Sequence, residues 1–209
     1  MSAPPDAPRC RIFSDGSCRG ARTPEGDWLG PGGWGTILLS GKHEREMYGG
    51  DHRTTSNRME LTAAIMGLEA LTKGCNVEVI SDSRYVIDNA GQHLIRWKRT
   101  GWMTGIEPIK NQDLWIRLDA SATRHTVKWT WVKGHNLHPL NERADDLAKK
   151  GRDKVEAQRP WPTGRPDWML GIISPEEPAI HVIAPIREQR EHRLPPTRPN
   201  AGVGWRGRR

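Results

Sequence analysis

The sequence predicts one α/β domain built on a mixed five-stranded sheet, three antiparallel strands and then parallel ones, flanked by helices. Three observations carry this. Short strand-like segments with short links open the chain. A clear amphipathic stripe follows, and strand and helix patterns then alternate to about residue 151. A chain of 209 residues suits one sizeable domain with an appendage.

Cys10–Ser14 is the first predicted strand, ending at a turn-like Asp15-Gly16. A Gly/Pro-rich link covers 20–33. Trp34–Leu39 and Glu44–Gly49 are the next strands, joined at Gly41-Lys42 into a meander. Leu61, Ala64, Ile65, Leu68 and Leu71 then form one helical stripe, with Ser56 as N-cap and Gly74 as the stop. Asn76–Ile80 is a strand that runs into Ser81-Asp82-Ser83. Helices are predicted over Ser83–Lys98 and Asn111–Ala122, a strand over His125–Val132, and a last helix over Asn141–Gly151.

Composition excludes several classes. No apolar run approaches the roughly 18 residues of a membrane span, and the N-terminus lacks the apolar core of a secretory signal. Cys10, Cys18 and Cys75 are widely spaced, which favours a reducing compartment, the cytoplasm, over structural zinc or disulfides. With 32 Lys and Arg against 25 Asp and Glu, the net charge is +7, so a polyanion is a reasonable partner. Residues 152–209 hold 9 of the 16 prolines and 11 Lys and Arg against 7 acids. They read as a Pro/Arg-rich, partly disordered extension of a domain at 9–151. Within it Asp167–Ile173 and Ile180–Ala184 are apolar enough to pack.

Four carboxylates lie where elements begin or end. Asp15 and Asp82 follow the first and fourth strands, which brings both to one sheet edge if those strands are parallel neighbours. Glu60 and Asp145 border the inward faces of their helices, while Asp146 points further out. Taken singly, each has a bland explanation: a turn, a helix cap, a dipole-complementing acid, a solvated face. Four acids converging would repel unless cations neutralise them. Oxygen-only donors select Mg²⁺ or Mn²⁺, and two such ions about 4 Å apart can activate water and stabilise the leaving oxygen of a phosphodiester. Trp97, Lys98, Arg99, Trp102 and Lys110 interleave cations with aromatics, as a nucleic-acid surface does. An amphipathic helix with core Trp and solvated Lys gives the same pattern.

The acids sit inside longer motifs in a fixed order. These are Ile12-Phe-Ser-Asp-Gly-Ser17, Thr54-Thr-Ser-Asn-Arg-Met-Glu60, Ser81-Asp-Ser-Arg-Tyr-Val86, and Trp131-Val-Lys-Gly-His135 followed by Asn141-Glu-Arg-Ala-Asp145. This set closely resembles ribonuclease H of the bacterial type 1 over roughly Arg9 to Gly151. The resemblance implies the ribonuclease H-like fold and an endonuclease that cuts the RNA strand of RNA–DNA hybrids. It further implies two Mg²⁺ ions per site, with Mn²⁺ as a substitute, and products bearing 5′-phosphate and 3′-hydroxyl ends. Asp15 would bridge both ions, Asp145 would complete the site of the water-activating ion, and Glu60 and Asp82 would hold the second. Glu60 would also sense the RNA 2′-hydroxyl. His135, on the loop 134–139, would assist proton movement and product release. Arg53, Thr55 and Asn111 match a pocket for a DNA phosphate, Asn57 a position near the minor groove, and Trp97 an aromatic of the DNA channel. Lys98, Arg99 and Trp102 fall in the family's basic protrusion.

The chain departs from the pattern at Ser56, where Asn is common, at His93, where Trp is common, and at Arg84, often Gln. The stretch Cys18–Gly33 is longer than the usual link. A cytoplasmic monomer acting in primer and R-loop removal is expected. The competing readings are a non-catalytic module that binds hybrid or duplex RNA, and a DNA-cutting relative on the same fold. The presence of all four acids speaks against the first. The histidine loop and phosphate-pocket residues speak against the second.

Overall fold

The computed structural model describes residue 4 and residues 6–22, 28–134, 138–158, 180–183 and 187–188. In chain order the elements are β1 (Arg9–Cys18), β2 (Ala21–Arg22), β3 (Trp28–Ser40), β4 (His43–Thr54), α1 (Ser56–Glu69) and β5 (Asn76–Ser81). There follow α2 (Arg84–Gln92), α3 (Leu94–Arg99), β6 (Met103–Thr104), β7 (Glu107–Pro108), α4 (Gln112–Ala122), β8 (Thr126–Trp131), α5 (Pro139–Gln158), β9 (Ile180–Ile183) and β10 (Arg187–Glu188).

Five strands form the main sheet in the order β4-β3-β1-β5-β8. The β4-β3-β1 half is antiparallel, and β1-β5-β8 is parallel. This is the sheet the sequence predicts. β1 lies at its centre and is buried on both faces, as a central strand must be. Ile12 packs with Leu61, Ile65, Leu68, Val79, Trp115 and Leu118 on the side of α1 and α4. Phe13 packs with Ile37, Ile80, Ala144 and Leu147 on the side of α5.

Several boundaries differ from the sequence expectation. The N-cap of α1 is Thr55 rather than Ser56: Thr55 is extended, and its hydroxyl accepts from the Arg58 N–H at 3.3 Å. That helix ends at Glu69, and Leu71 completes the apolar stripe from a turn beyond it, buried in the core. The helix expected over Ser83–Lys98 is broken at His93 into α2 and α3. The last helix continues past Gly151 to Gln158 and buries Val155, so the composition change at 152 falls inside α5.

The largest difference concerns the glycines at 30, 32 and 33. They read as a link, yet they belong to β3, which therefore begins well before the strand predicted at Trp34. A Cβ on Gly35 would lie 2.2 Å from the Ala144 carbonyl oxygen, and one on Gly33 2.1 Å from that of Ala148. These glycines serve close approach of α5 to the sheet, not chain reversal.

Part of the extension returns to the domain. β9 pairs antiparallel with Met47–Gly50, and β10 with His43 and Glu44, along the outer side of β4. The apolar stretch Asp167–Ile173 lies outside the described residues, as does most of the segment expected to be disordered.

Candidate active site

Strand register and glycine contacts bring the four carboxylates together. Asp15 is not in a turn but in β1, opposite Gly35 of β3. Phe13 is the parallel partner of Ile80, so Asp82, two residues beyond Ile80, falls beside Asp15, two beyond Phe13. The first turn of α1 sits directly on β1: a Cβ on Gly16 would lie 2.3 Å from the Glu60 amide nitrogen. Only glycine permits that approach, and it carries Glu60 to Asp15. On the other face, Ala144 rests on Gly35, which carries Asp145 to the same place.

Asp15, Glu60, Asp82 and Asp145 line one cavity of about 310 Å³ together with Gly16, Ser83, Asn141 and Glu142. Among the described residues, no three of the His, Cys, Asp and Glu side chains close tightly enough to form one ion's ligand shell. The acids ring the cavity instead. Burial, then the charges of Asp82 and Asp145, push the Asp15 carboxyl up to about 8, although the Gly16 N–H donates to it at 2.6 Å. Burial pushes Glu60 up to about 7 against the opposing effect of a hydrogen bond from Ser83. The Asn141 side chain is buried at 3% exposure, and its Oδ1 has no partner. Carboxylates plus an orphaned amide oxygen, with no thiol or imidazole among the lining residues, fit a hard divalent cation.

The rim is organised around Asp82. Trp131 donates from Nε1 to the Asp82 carbonyl at 3.0 Å, and the Arg84 guanidinium stacks 3.8 Å over its ring. A Cβ on Gly134 would lie 2.5 Å from Asp82 Oδ2. His135 itself lies outside the described residues. His138, past the loop, packs its ring 5.1 Å from Phe13.

The predicted nucleic-acid residues divide into two groups. Thr55 caps α1 and Asn111 precedes α4 in a left-handed conformation, φ 58°. A bidentate pair from Arg58 to Asp113, at 2.9 and 2.6 Å, joins the first turns of these two helices. Asn57 lies in that first turn of α1, and Arg53 is exposed just before it. The second group combines partly buried aromatics with exposed cations. Trp97 packs edge-on against the buried Trp115 at 5.1 Å, and Trp102 also lies against the core. Lys98 pairs with Asp119 at 2.7 Å, and Arg99 is exposed. The packing of Trp97 and Trp102 matches the amphipathic-helix alternative.

Sequence reasoning missed Gly16, Gly35, Ser83, Asn141 and Lys149. Gly16 and Gly35 were visible as residues but not as contacts. Lys149 donates to Asp145 Oδ2 at 2.5 Å, and this bond holds its amine above the ordinary lysine value. Its spacing of four from Asp145 on a helix was the available signal.

Comparison with known proteins places this geometry. A ribonuclease H family profile matches residues 8–153. Ribonuclease H of Alcanivorax borkumensis is 52% identical over 146 residues, covering 69% of this chain and 92% of that protein. Ribonuclease H of Phenylobacterium zucineum is 51% identical over 153 residues, covering 73% and 95%. Among solved structures, LC9-RNase H1, a type 1 RNase H with the type 2 active-site motif, superposes with a TM-score of 0.65 at 28% identity. That match covers 73% of this chain and 76% of the other.

Proposed function

Since the chain is a member of the metal-dependent ribonuclease H family, we propose that it hydrolyses internal phosphodiesters in the RNA strand of RNA–DNA hybrids, leaving 5′-phosphate and 3′-hydroxyl ends. The observation that carries this reading is the polar cavity ringed by Asp15, Glu60, Asp82 and Asp145. These four would hold Mg²⁺, or Mn²⁺ in its place, with Asp15 central to the group. Bound there, the cations lower the pKa of an attacking water and stabilise charge on the leaving oxygen.

The chain's own groups position the substrate and the carboxylates. Gly16 and Gly35 admit the two helices that deliver Glu60 and Asp145. Ser83 fixes Glu60, and Trp131 fixes the backbone of Asp82. The paired N-termini of α1 and α4 offer backbone N–H groups and positive dipole ends to a phosphate, beside Thr55, Asn111 and Arg53. Shape and 2′-hydroxyl contacts then distinguish the strands without reading bases. His135 follows Gly134, which lies against Asp82, so a proton-shuttling role at this cavity is supported by its neighbour's place. Loss of its imidazole should slow turnover by roughly 10²–10⁴-fold at most.

Three free, widely spaced thiols suit a reducing compartment, so we place the activity in the cytoplasm. Among the described residues, no helix is long and apolar enough to cross a membrane. The test is a cleavage assay on RNA–DNA, RNA–RNA and DNA–DNA duplexes with and without Mg²⁺. Mg²⁺-dependent nicking of the RNA strand in the hybrid alone supports the reading. Binding without nicking would make the protein a hybrid-binding module, and nicking of duplex DNA would make it a DNA-cutting relative.

A further inference from the structure

Among the described residues, Lys149 is the cation that makes an ion pair with one of the four cavity carboxylates. Its Nζ lies 2.5 Å from Asp145 Oδ2, one helical turn along α5. The two partners differ in exposure: the Asp145 side chain is 19% exposed, the Lys149 side chain 45%. The carboxylate is therefore fixed at the cavity wall, while the ammonium, on a flexible stem, can move into water at little cost. Surface i,i+4 pairs are worth only a few tenths of a kcal/mol, so this bond is readily exchanged.

We propose that Lys149 is a built-in counter-ion that competes with the divalent cation for Asp145. It offsets part of the repulsion among Asp15, Glu60, Asp82 and Asp145, and it yields the Asp145 oxygen when a cation arrives. In this role it is a positioning residue that tunes cation affinity rather than a group that touches substrate. The inference rests on the four carboxylates being the cation site. A unit charge a few ångströms away in a partly exposed setting changes binding by on the order of tenfold.

The experiment is calorimetric titration of Mn²⁺ into the full chain, as wild type, Lys149→Met, Lys149→Arg and Asp15→Asn. Thermal midpoints are measured on the same proteins with EDTA and with Mn²⁺. Lys149→Met should bind Mn²⁺ on the order of tenfold more tightly, melt at a lower temperature in EDTA, and gain more from Mn²⁺ than wild type. Lys149→Arg should behave as wild type. A Lys149→Met affinity that is unchanged or weaker overturns the competition. Should Lys149→Met not fold, Lys149→Gln carries the same expectation. Wild-type binding that survives Asp15→Asn undiminished would overturn the cation-site reading itself, which an unchanged Lys149→Met affinity alone does not do.

Discussion

Ser83 links Glu60 to the start of α2: its hydroxyl donates to the Glu60 carboxylate and accepts from the Val86 N–H at 3.2 Å. One side chain thus both caps a helix and orients a cavity acid. Ser83→Ala should cost about 1 kcal/mol of stability from the lost cap. It should also raise the Glu60 carboxyl above its value of about 7, because the Ser83 hydrogen bond opposes the effect of burial. Thermal denaturation and NMR titration of Glu60 in EDTA check the two effects separately.

Asp15 makes the protein's stability fall as pH rises. Its carboxyl is raised from 3.8 to about 8 in the folded chain, so the native state holds a proton that the unfolded state releases. Between about pH 4 and 8 unfolding gains favour with each added pH unit, provided EDTA removes divalent cations. Asp15→Asn should flatten this dependence and raise the midpoint near pH 8 by several degrees, at roughly 2–4 °C per kcal/mol for a domain of this size. Melting curves from pH 5 to 8 decide it. A wild-type midpoint that rises across that range would contradict the burial argument.

Gly35→Ala tests how α5 is seated. The added methyl would meet the Ala144 carbonyl oxygen at 2.2 Å, a backbone contact that no rotamer change relieves. The expected loss is about 1–3 kcal/mol. Because Asp145 is the next residue, cleavage should fall by more than the change in folded fraction explains. Activity per folded molecule equal to wild type would show that Asp145 tolerates the shift.

Arg58 and Asp113 latch two helix N-termini, and both are partly exposed, with side-chain exposures of 34% and 60%. Arg58→Ala should therefore cost at most about 1 kcal/mol of stability. Its larger effect should be on the hybrid: KM rises several-fold while kcat changes by less than about twofold, the signature of lost uniform binding. A fall in kcat with KM unchanged would place Arg58 in the chemistry instead.

Much of this arrangement was legible in the chain. The stripe from Leu61 to Leu68 marks α1, and alternating apolar residues mark the parallel strands, because burial imposes those periods directly. The acids at Asp15 and Asp82 fall beside each other because β1 and β5 are parallel neighbours, the condition under which their places at the strand ends bring them to one sheet edge. What sequence could not show is why two helices come so close. Gly16 and Gly33 carry local turn signals and Gly35 reads as an ordinary strand residue, yet all three act through contacts with residues tens of positions away, on α1 and α5. Thr55 and Ser56 are equally competent caps, and only the extended backbone at Thr55 decides between them. The run of α5 past Gly151 was hidden by the change in composition, though Val155 keeps the inward spacing of Ala144, Leu147, Ala148 and Gly151.

Asp15, Glu60, Asp82 and Asp145 are expected to hold divalent cations jointly, and anomalous diffraction from crystals soaked in Mn²⁺ would locate those ions. Peaks within the cavity, coordinated by these carboxylates and lost in Asp15→Asn, are the predicted result. Peaks confined to other surfaces, with the cavity empty in well-ordered crystals, would contradict it.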